Sequence, residues 1–355
     1  MNRNKSKNSE KSLSKLITYC KKYIPVIIIA LTSAVIGTIL TIIGPDKLSE
    51  MTDIITAGIM TSIDLDKIAS IGLTLVAIYV ISAILTFAQG YIMATITQKV
   101  SKNLRSDISK KINKLPMSYY NNNTTGDLLS RVTNDVDTIG QALNQSVGTL
   151  ISAICLLFGS LIMMLKTNVI MTVTAVLATM IGFALMMIIM KSSQKYFMRQ
   201  QEYLGKINGH VEEVYSGHTI VKAYNAEEQM DNKFRALNST LKNSTFKAQF
   251  LSGLMMPIMT FIGNLGYVAV CVVGAALAMN GNISFGVIVA FIMYVRYFTQ
   301  PLAQMAQAVQ NLQSAAAASH RVFEFLEAKE MEDESHKTLS LENAKGKVEF
   351  KNVKF

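Results

Sequence analysis

Few side chains in this sequence could do covalent or metal chemistry, and their spacing argues against it. The three cysteines, Cys20, Cys155 and Cys271, are odd in number, far apart and without CxxC spacing. Neither a disulfide framework nor a zinc site is expected from them. His210 and His218 stand in polar, helix-patterned sequence and read as surface residues. No acidic metal pair or catalytic base accompanies them, so no catalytic residue and no metal ligand is assigned. No GxxxxGK[ST] motif occurs, so this stretch has no loop to cradle ATP phosphates. Arg296 is different. It is the one clearly ionisable residue inside an apolar run, and Gln300, Gln304, Gln307 and Asn311 follow it at helical spacing. A guanidinium at mid-bilayer costs about 2.5–3.5 kcal/mol on insertion scales, so it should face water or a partner. This face is expected to line a cavity that favours substrates with a negative or polar group. The competing reading is that Arg296 pairs within a helix bundle and the glutamines bridge helices. Methionines are frequent in the same runs (Met163, Met164, Met180, Met186, Met187, Met255, Met256, Met259), and flexible Met suits promiscuous apolar binding as well as ordinary packing.

The elements that position these residues follow from composition. Half the residues are hydrophobic and 16% are charged, against about a quarter charged in soluble domains. Mean hydropathy is +0.31. Charges are excluded from long apolar runs, the pattern of membrane spans. The net charge of +10 does not indicate nucleic acid, because Lys and Arg flank apolar segments rather than form a stripe with aromatics. The expected fold is an all-α membrane protein. Residues 1–23 form a basic amphipathic leader on the inner membrane surface. Residues 24–326 form a six-helix domain with spans at about 24–44, 68–96, 139–165, 169–190, 250–279 and 283–309. Gly44-Pro45 closes the first span, and 45–67 is a polar connector. Residues 327–345 are a linker. In 346–355, GKVEFKNVKF, the period switches to that of a strand, so the chain reads as stopping at the threshold of a second domain.

Three of these helices run on beyond the bilayer. Val100, Leu104, Ile108, Ile112 and Leu115 recur at helical spacing between basic residues, and 191–249 reads as two long helices broken near Ser216-Gly217-His218. Nearly all Lys and Arg lie on one side: the opposite connectors hold only Lys47, Lys67 and Lys166. Both termini are therefore expected in the cytoplasm of a multi-pass protein of the cell (plasma or inner) membrane.

Leu115–Ile139 is a polar island between apolar spans. Pro116 ends the preceding helix, and Thr124 with Asp127 forms a capping pair for a short new one. Leu128, Leu129 and Val132 are expected on its apolar face, with Asp127, Arg131 and Asn134 elsewhere. Asn134 and Asp135 are expected to cap the next long helix.

Leu115-Pro116, Thr125-Gly126-Asp127-Leu128, Ser130-Arg131 and Asn134-Asp135-Val136 resemble the first intracellular loop of ABC exporters, with Tyr120 where that family more often has Phe. Glu212-Glu213, Ser216-Gly217, Ile220–Tyr224 and Glu227 are similar to the second such loop. Pro301-Leu302, Ala315–Ala318 and Arg321-Val322-Phe323 resemble the passage to the nucleotide-binding domain, His320 being a departure, and GKVEFKNVKF looks like that domain's first strand. The resemblance implies two coupling helices. The first carries Thr125, Gly126, Asp127, Leu128, Ser130, Arg131 and Asp135, and the second Gly217, Ile220, Val221, Lys222 and Tyr224. It also implies a homo- or heterodimer of half-transporters whose fourth and fifth spans cross to the partner. ATP and Mg would be bound by a nucleotide-binding domain missing from this sequence, the chain's own and its partner's. The implied activity is alternating-access export of hydrophobic or amphipathic drugs, lipids or peptides. A six-span channel or carrier independent of ATP, and a membrane-anchored interaction protein, are the readings from other classes.

Overall fold

The structure, a computed structural model, describes residues 14–59, 62–332 and 346–354. Most of the leader, most of the linker and Phe355 lie outside these residues. Among the described residues, ten helices after the leader, α1 to α10, carry the fold: Ile24–Gly58, Leu65–Ile112, Met117–Asn122, Thr125–Ser130, Val136–Gln141, Val147–Thr167, Val169–Ser216, His218–Ala223, Glu227–Met279 and Phe285–Leu326. Single π-helical turns, Arg131–Asp135 and Ala142–Ser146, join α4 to α5 and α5 to α6. Among the described residues, six helical stretches are long and apolar enough to cross a membrane.

The helix ends have local causes. Asn168 accepts from the Met171 amide at 3.0 Å and starts α7 immediately after α6 ends at Thr167. Asp64 accepts from the Lys67 amide at 3.0 Å at the start of α2. Gly281, with φ of +72°, allows the tight turn between α9 and α10. Gly217 separates α7 from α8.

Two expectations fail here. The first helix does not close at Gly44-Pro45: α1 continues to Gly58 with Pro45 inside it. Loss of one N–H is tolerated within apolar helices, where neighbouring groups and local adjustment satisfy the backbone. The residues at 346–354 adopt no strand. A strand is held by its partners, and none of the described residues offers one.

The chain forms two compact units. The first holds residues up to Ile28, Gly90–Val147 and Ala308 onwards. Its core joins Leu16 and Cys20 of the leader, Val100, Leu104 and Ile108 of α2, Leu128 of α4, and Val322, Phe323 and Phe325 of α10. The α2 residues follow the expected helical stripe, except that Ile112 is exposed. Burial pushes the Cys20 thiol up to about 11, as fits a packed rather than reactive sulfur. The second unit holds Ile29–Gln89 and Gly148–Gln307. Its core includes Ile42, Met164, Met171, Val270, Phe291 and Tyr294. Within it, α7 and α9 pack along one another. Asp53 of α1 accepts from Ser284 Oγ and the Gly286 amide, each at 2.7 Å, fixing the start of α10. Large apolar side chains such as Leu73, Phe87 and Met187 remain exposed on this unit, as on a surface that meets lipid tails.

Candidate functional site

Three places gather the polar residues that the sequence singles out. The first is the short helix α4 in the first unit. Thr124 caps it, its Oγ1 accepting from the Asp127 amide at 3.3 Å. The Asp127 carboxylate does not reach back to complete a capping pair. It instead receives Arg131 Nη2 at 2.8 Å and Nε at 3.2 Å. Arg131 also donates to the Arg321 carbonyl at 3.2 Å. The Arg321 guanidinium in turn grips Asp135, with Nε 2.8 Å from Oδ2 and a second bond from Nη2 to Oδ1. Four charged side chains thus link α4 and its following π-turn to the end of α10.

Burial in this network differs from the sequence expectation. Arg131 and Asp135 are buried, whereas Leu129 is 63% exposed. The apolar face therefore consists of buried Leu128 and half-buried Val132, and Leu129 points away from the core. Asn134 and Asp135 do not cap a new helix, because the helical path runs unbroken from Thr125 through two π-turns to Thr167. A π-turn adds one residue to the ring and so re-aims the side chains around it. Here one such turn carries both Arg131 and Asp135. Gly126 and Ser130 lie on α4, where Gly126 is exposed. Thr125 is placed on the same helix, its side chain lying outside the description.

Around this network the leader and the end of α10 are clasped together. Lys15 Nζ donates to Glu327 at 2.5 Å and 2.6 Å. Tyr19 donates to Asp107 at 2.6 Å and stands edge-on to Phe323. Burial, and then the Asp107 carboxylate, hold the Tyr19 hydroxyl well above the usual phenol range. Lys111 donates to Glu330 at 2.9 Å, and the Met331 amide donates to the Lys114 carbonyl at 2.9 Å. The hydrogen bond from Lys111 holds Glu330 below the usual carboxylate range.

The second place is α8, in the second unit. Gly217, Ile220, Val221, Lys222 and Tyr224 lie on or beside it. Ile220 is 65% and Tyr224 81% exposed, while Val221 is half-buried. Lys222 Nζ donates to Glu227 at 2.7 Å, tying α8 to the start of α9. The helix thus presents two large apolar side chains to its surroundings, with one ion pair bracing it. His210, expected on the surface, is buried at 5% exposure. The sequence could not show this, because the Met230 carbonyl that receives His210 Nε2 at 2.9 Å stands on α9.

The third place is a cavity of about 960 Å³ in the second unit, bordered by α7, α9 and α10. Its wall includes Phe183, Met256, Met259 and Tyr267, with Arg296, Gln300 and Asn264 among its polar groups. Gly182, Gly263 and Gly266 leave the space open. A Cβ at Gly182 would come within 2.6 Å of Ile262 Cγ2, so α7 and α9 approach closely there, whereas nothing lies within 4 Å of one at Gly263. Among the described residues, no hydrogen-bond or ion-pair partner faces the Arg296 guanidinium. Of the expected five-residue polar face, Arg296 and Gln300 border the cavity, and Gln304, Gln307 and Asn311 do not. Helical spacing puts residues on one side of a helix but does not say how far along it a cavity extends. Met259 and Met256 face the cavity; Met163, Met164, Met186, Met187 and Met255 do not line it.

Residues 27–302 match the family of the ABC transporter transmembrane region. The chain is 37% identical over 279 residues, 79% of its length, to a fatty acid ABC transporter ATP-binding/permease protein of Mycobacterium bovis, of which this covers 44%. It is 31% identical over 353 residues, 99% of its length, to an uncharacterized ABC transporter ATP-binding protein of Bacillus subtilis, of which this covers 58%. It is 25% identical over 336 residues, 95% of its length, to a multidrug resistance ABC transporter ATP-binding and permease protein of Lactococcus lactis, of which this covers 56%. The chain therefore spans about half the length of the curated relatives it matches.

Proposed function

The chain belongs to the ABC transporter transmembrane family, and on that premise we propose that it is the membrane half of an ATP-driven exporter of amphipathic compounds bearing a negative group. The observation that carries the substrate reading is Arg296: a cation without a hydrogen-bond or ion-pair partner among the described residues, and the one charged group lining a cavity of about 960 Å³. A buried or membrane-depth charge is costly without a counter-charge. A carboxylate or phosphate head group would supply one, while the Met and aromatic wall takes an apolar tail. The Mycobacterium bovis relative, described as a fatty acid transporter, supports a cargo of this shape.

The residues of this chain do not fit ATP. They include no phosphate-cradling GxxxxGK[ST] loop. ATP and Mg belong to a nucleotide-binding domain of the kind that its ATP-binding/permease relatives are named for. In this reading α4 and α8 are the contacts to such domains. Exposed Leu129, Ile220 and Tyr224 supply apolar anchors, and the Asp127–Arg131–Arg321–Asp135 network makes α4 move as one piece with the end of α10. Two such halves, identical or not, would enclose the cargo path and alternate their access. The distribution of Lys and Arg supports cytoplasmic termini in the cell membrane.

The test is ATPase activity of the full-length gene product in lipid, alone and with any neighbouring half-transporter, titrated with fatty acids and with their neutral methyl esters. Stimulation by the acids at concentrations where the esters do nothing supports the reading. Equal response to both rejects the role given to Arg296, and no response in either arrangement rejects the exporter reading itself.

A further inference from the structure

Where α7 and α9 leave their apolar runs, they carry positive charge that no acid balances. The run of α7 ends at Met190 and that of α9 begins at Phe250. Residues 191–201 hold Lys191, Lys195 and Arg199 and no acid, and residues 236–250 hold Lys242 and Lys247 and no acid. The two helices pack along one another within the second unit. Lys195, Arg199 and Lys247 are exposed, and none has a carboxylate partner among the described residues. Farther from the apolar runs the pattern changes. Lys206 meets Glu202 at 2.6 Å, Lys233 meets Glu213 at 3.4 Å, and Arg235 meets Asp231 at 2.7 Å. On these two helices the cations without an acid are thus those nearest the apolar runs.

Their arrangement is specific. Lys195 Nζ of α7 and Lys247 Nζ of α9 lie 4.9 Å and 5.5 Å from the centre of one ring, that of Tyr196. Each ammonium gains from the ring's negative face. Yet two like charges drawn to one ring repel, and the ring has no net charge to offset them. The stripe continues along α7 with Arg199, whose guanidinium lies 5.7 Å from the centre of the Tyr203 ring. Beside it on α9, Phe246 and Phe250 stack with ring centres 6.1 Å apart, and both are exposed. Rings at the end of an apolar run stand at lipid head-group level, and basic clusters in that position attract anionic lipids.

We propose that these turns of α7 and α9 bind an anionic phospholipid of the surrounding bilayer, its phosphate received between Lys195 and Lys247 beside Tyr196. The phosphate offsets two charges that the protein leaves unbalanced, and the Phe246–Phe250 stack takes the upper part of an acyl chain. A zwitterionic lipid brings a cation of its own to a place already holding two, so the site selects the anionic class. A nucleic acid also seeks cations and rings, but this face begins where the apolar runs stop, at the depth of lipid phosphates. The site rests on the chain's membership of a membrane family and not on the transport reading.

The test titrates the full-length protein in detergent micelles with phosphatidylglycerol and with phosphatidylcholine, and reads the first bound lipid by native mass spectrometry. Phosphatidylglycerol is expected to bind at least about fivefold more tightly, the value of one lysine near an anionic lipid. Lys195→Gln with Lys247→Gln should weaken phosphatidylglycerol by about 30-fold, one such factor for each lysine, and leave phosphatidylcholine unchanged. The control, Lys233→Gln with Arg235→Gln, removes the same charge from cations that already have acids and should keep the preference. Tyr196→Phe keeps the ring and should keep the affinity, whereas Tyr196→Leu should lower it. On the unaltered protein, a phosphatidylglycerol with a photoreactive group beside its head group should label peptides covering 191–206 and 242–250. Equal binding of the two lipids, an equal loss in the control, or labelling that avoids both peptides would overturn the proposal.

Discussion

Replacing Asp135 with alanine is expected to loosen α4 and its following π-turn without unfolding the six long helices. Asp135 is 3% exposed and holds Arg321 through two hydrogen bonds, one of 2.8 Å. Breaking a fully buried ion pair costs about 3–5 kcal/mol, mostly for the charge left behind. Here the survivor is Arg321, whose side chain is 48% exposed and can rehydrate. The relevant figure is therefore that of charge-assisted hydrogen bonds, about 1.5–3 kcal/mol. Taking about 2 kcal/mol, the local opening equilibrium should rise about 30-fold. Hydrogen exchange by mass spectrometry on the full-length protein in lipid reads this directly, as lost protection in peptides covering 127–141. Asp137→Ala is the control. Its partner Arg105 is 2.5 Å away, but the two side chains are 44% and 58% exposed, and such pairs contribute about 0.2–1 kcal/mol. The control should change exchange by about fivefold at most. The reasoning is refuted if Asp135→Ala alters protection no more than Asp137→Ala, or if the loss spreads evenly over all six long helices.

Other outcomes follow from single contacts. Gly263→Leu, at a cavity position where an added Cβ meets nothing within 4 Å, should preserve the fold and reduce ATPase stimulation by long-chain more than short-chain acids. An unchanged chain-length profile would count against this cavity as the cargo site. Asp53→Ala removes the acceptor for Ser284 and the Gly286 amide. It should cost about 1–2 kcal/mol, as for a lost helix cap, seen as faster exchange at the start of α10, whereas Asp53→Asn keeps an acceptor and should lose less. Because Lys111 lowers the Glu330 carboxyl, this pair adds stability above the ordinary carboxylate range and loses it as pH falls through the lowered value. Exchange at residues 327–332 should therefore rise on acidification below about pH 4.5, and Lys111→Met should weaken that dependence, leaving Lys114 at 3.5 Å as the remaining partner of Glu330.

Much of the long-helix architecture was legible because periodicity and apolar length are local properties. The stripe Val100–Leu104–Ile108, the turns at Asn168 and Gly281, and the break at Gly217 all appear as expected. What was not legible depends on partners distant in sequence. Arg131 looks like a surface cation on a short helix, but Asp127 and a carbonyl 190 residues away bury it. His210 looks solvated until α9 folds over it. Pro45 reads as a stop because the rule for soluble helices says so, yet α1 passes through it. The polar row after Arg296 lies along α10, but of its five residues only Arg296 and Gln300 border the cavity.

The central claim, a membrane half-exporter whose cavity Arg296 receives an anionic head group, is tested most directly by transport. The full-length gene product would be reconstituted in sealed vesicles, and ATP-dependent movement of a labelled fatty acid and its methyl ester would be followed. The account predicts transport of the acid over the ester, with that preference lost in Arg296→Gln while the ester's basal rate is retained. Transport that ignores the head group, or a preference unchanged by Arg296→Gln, would contradict it.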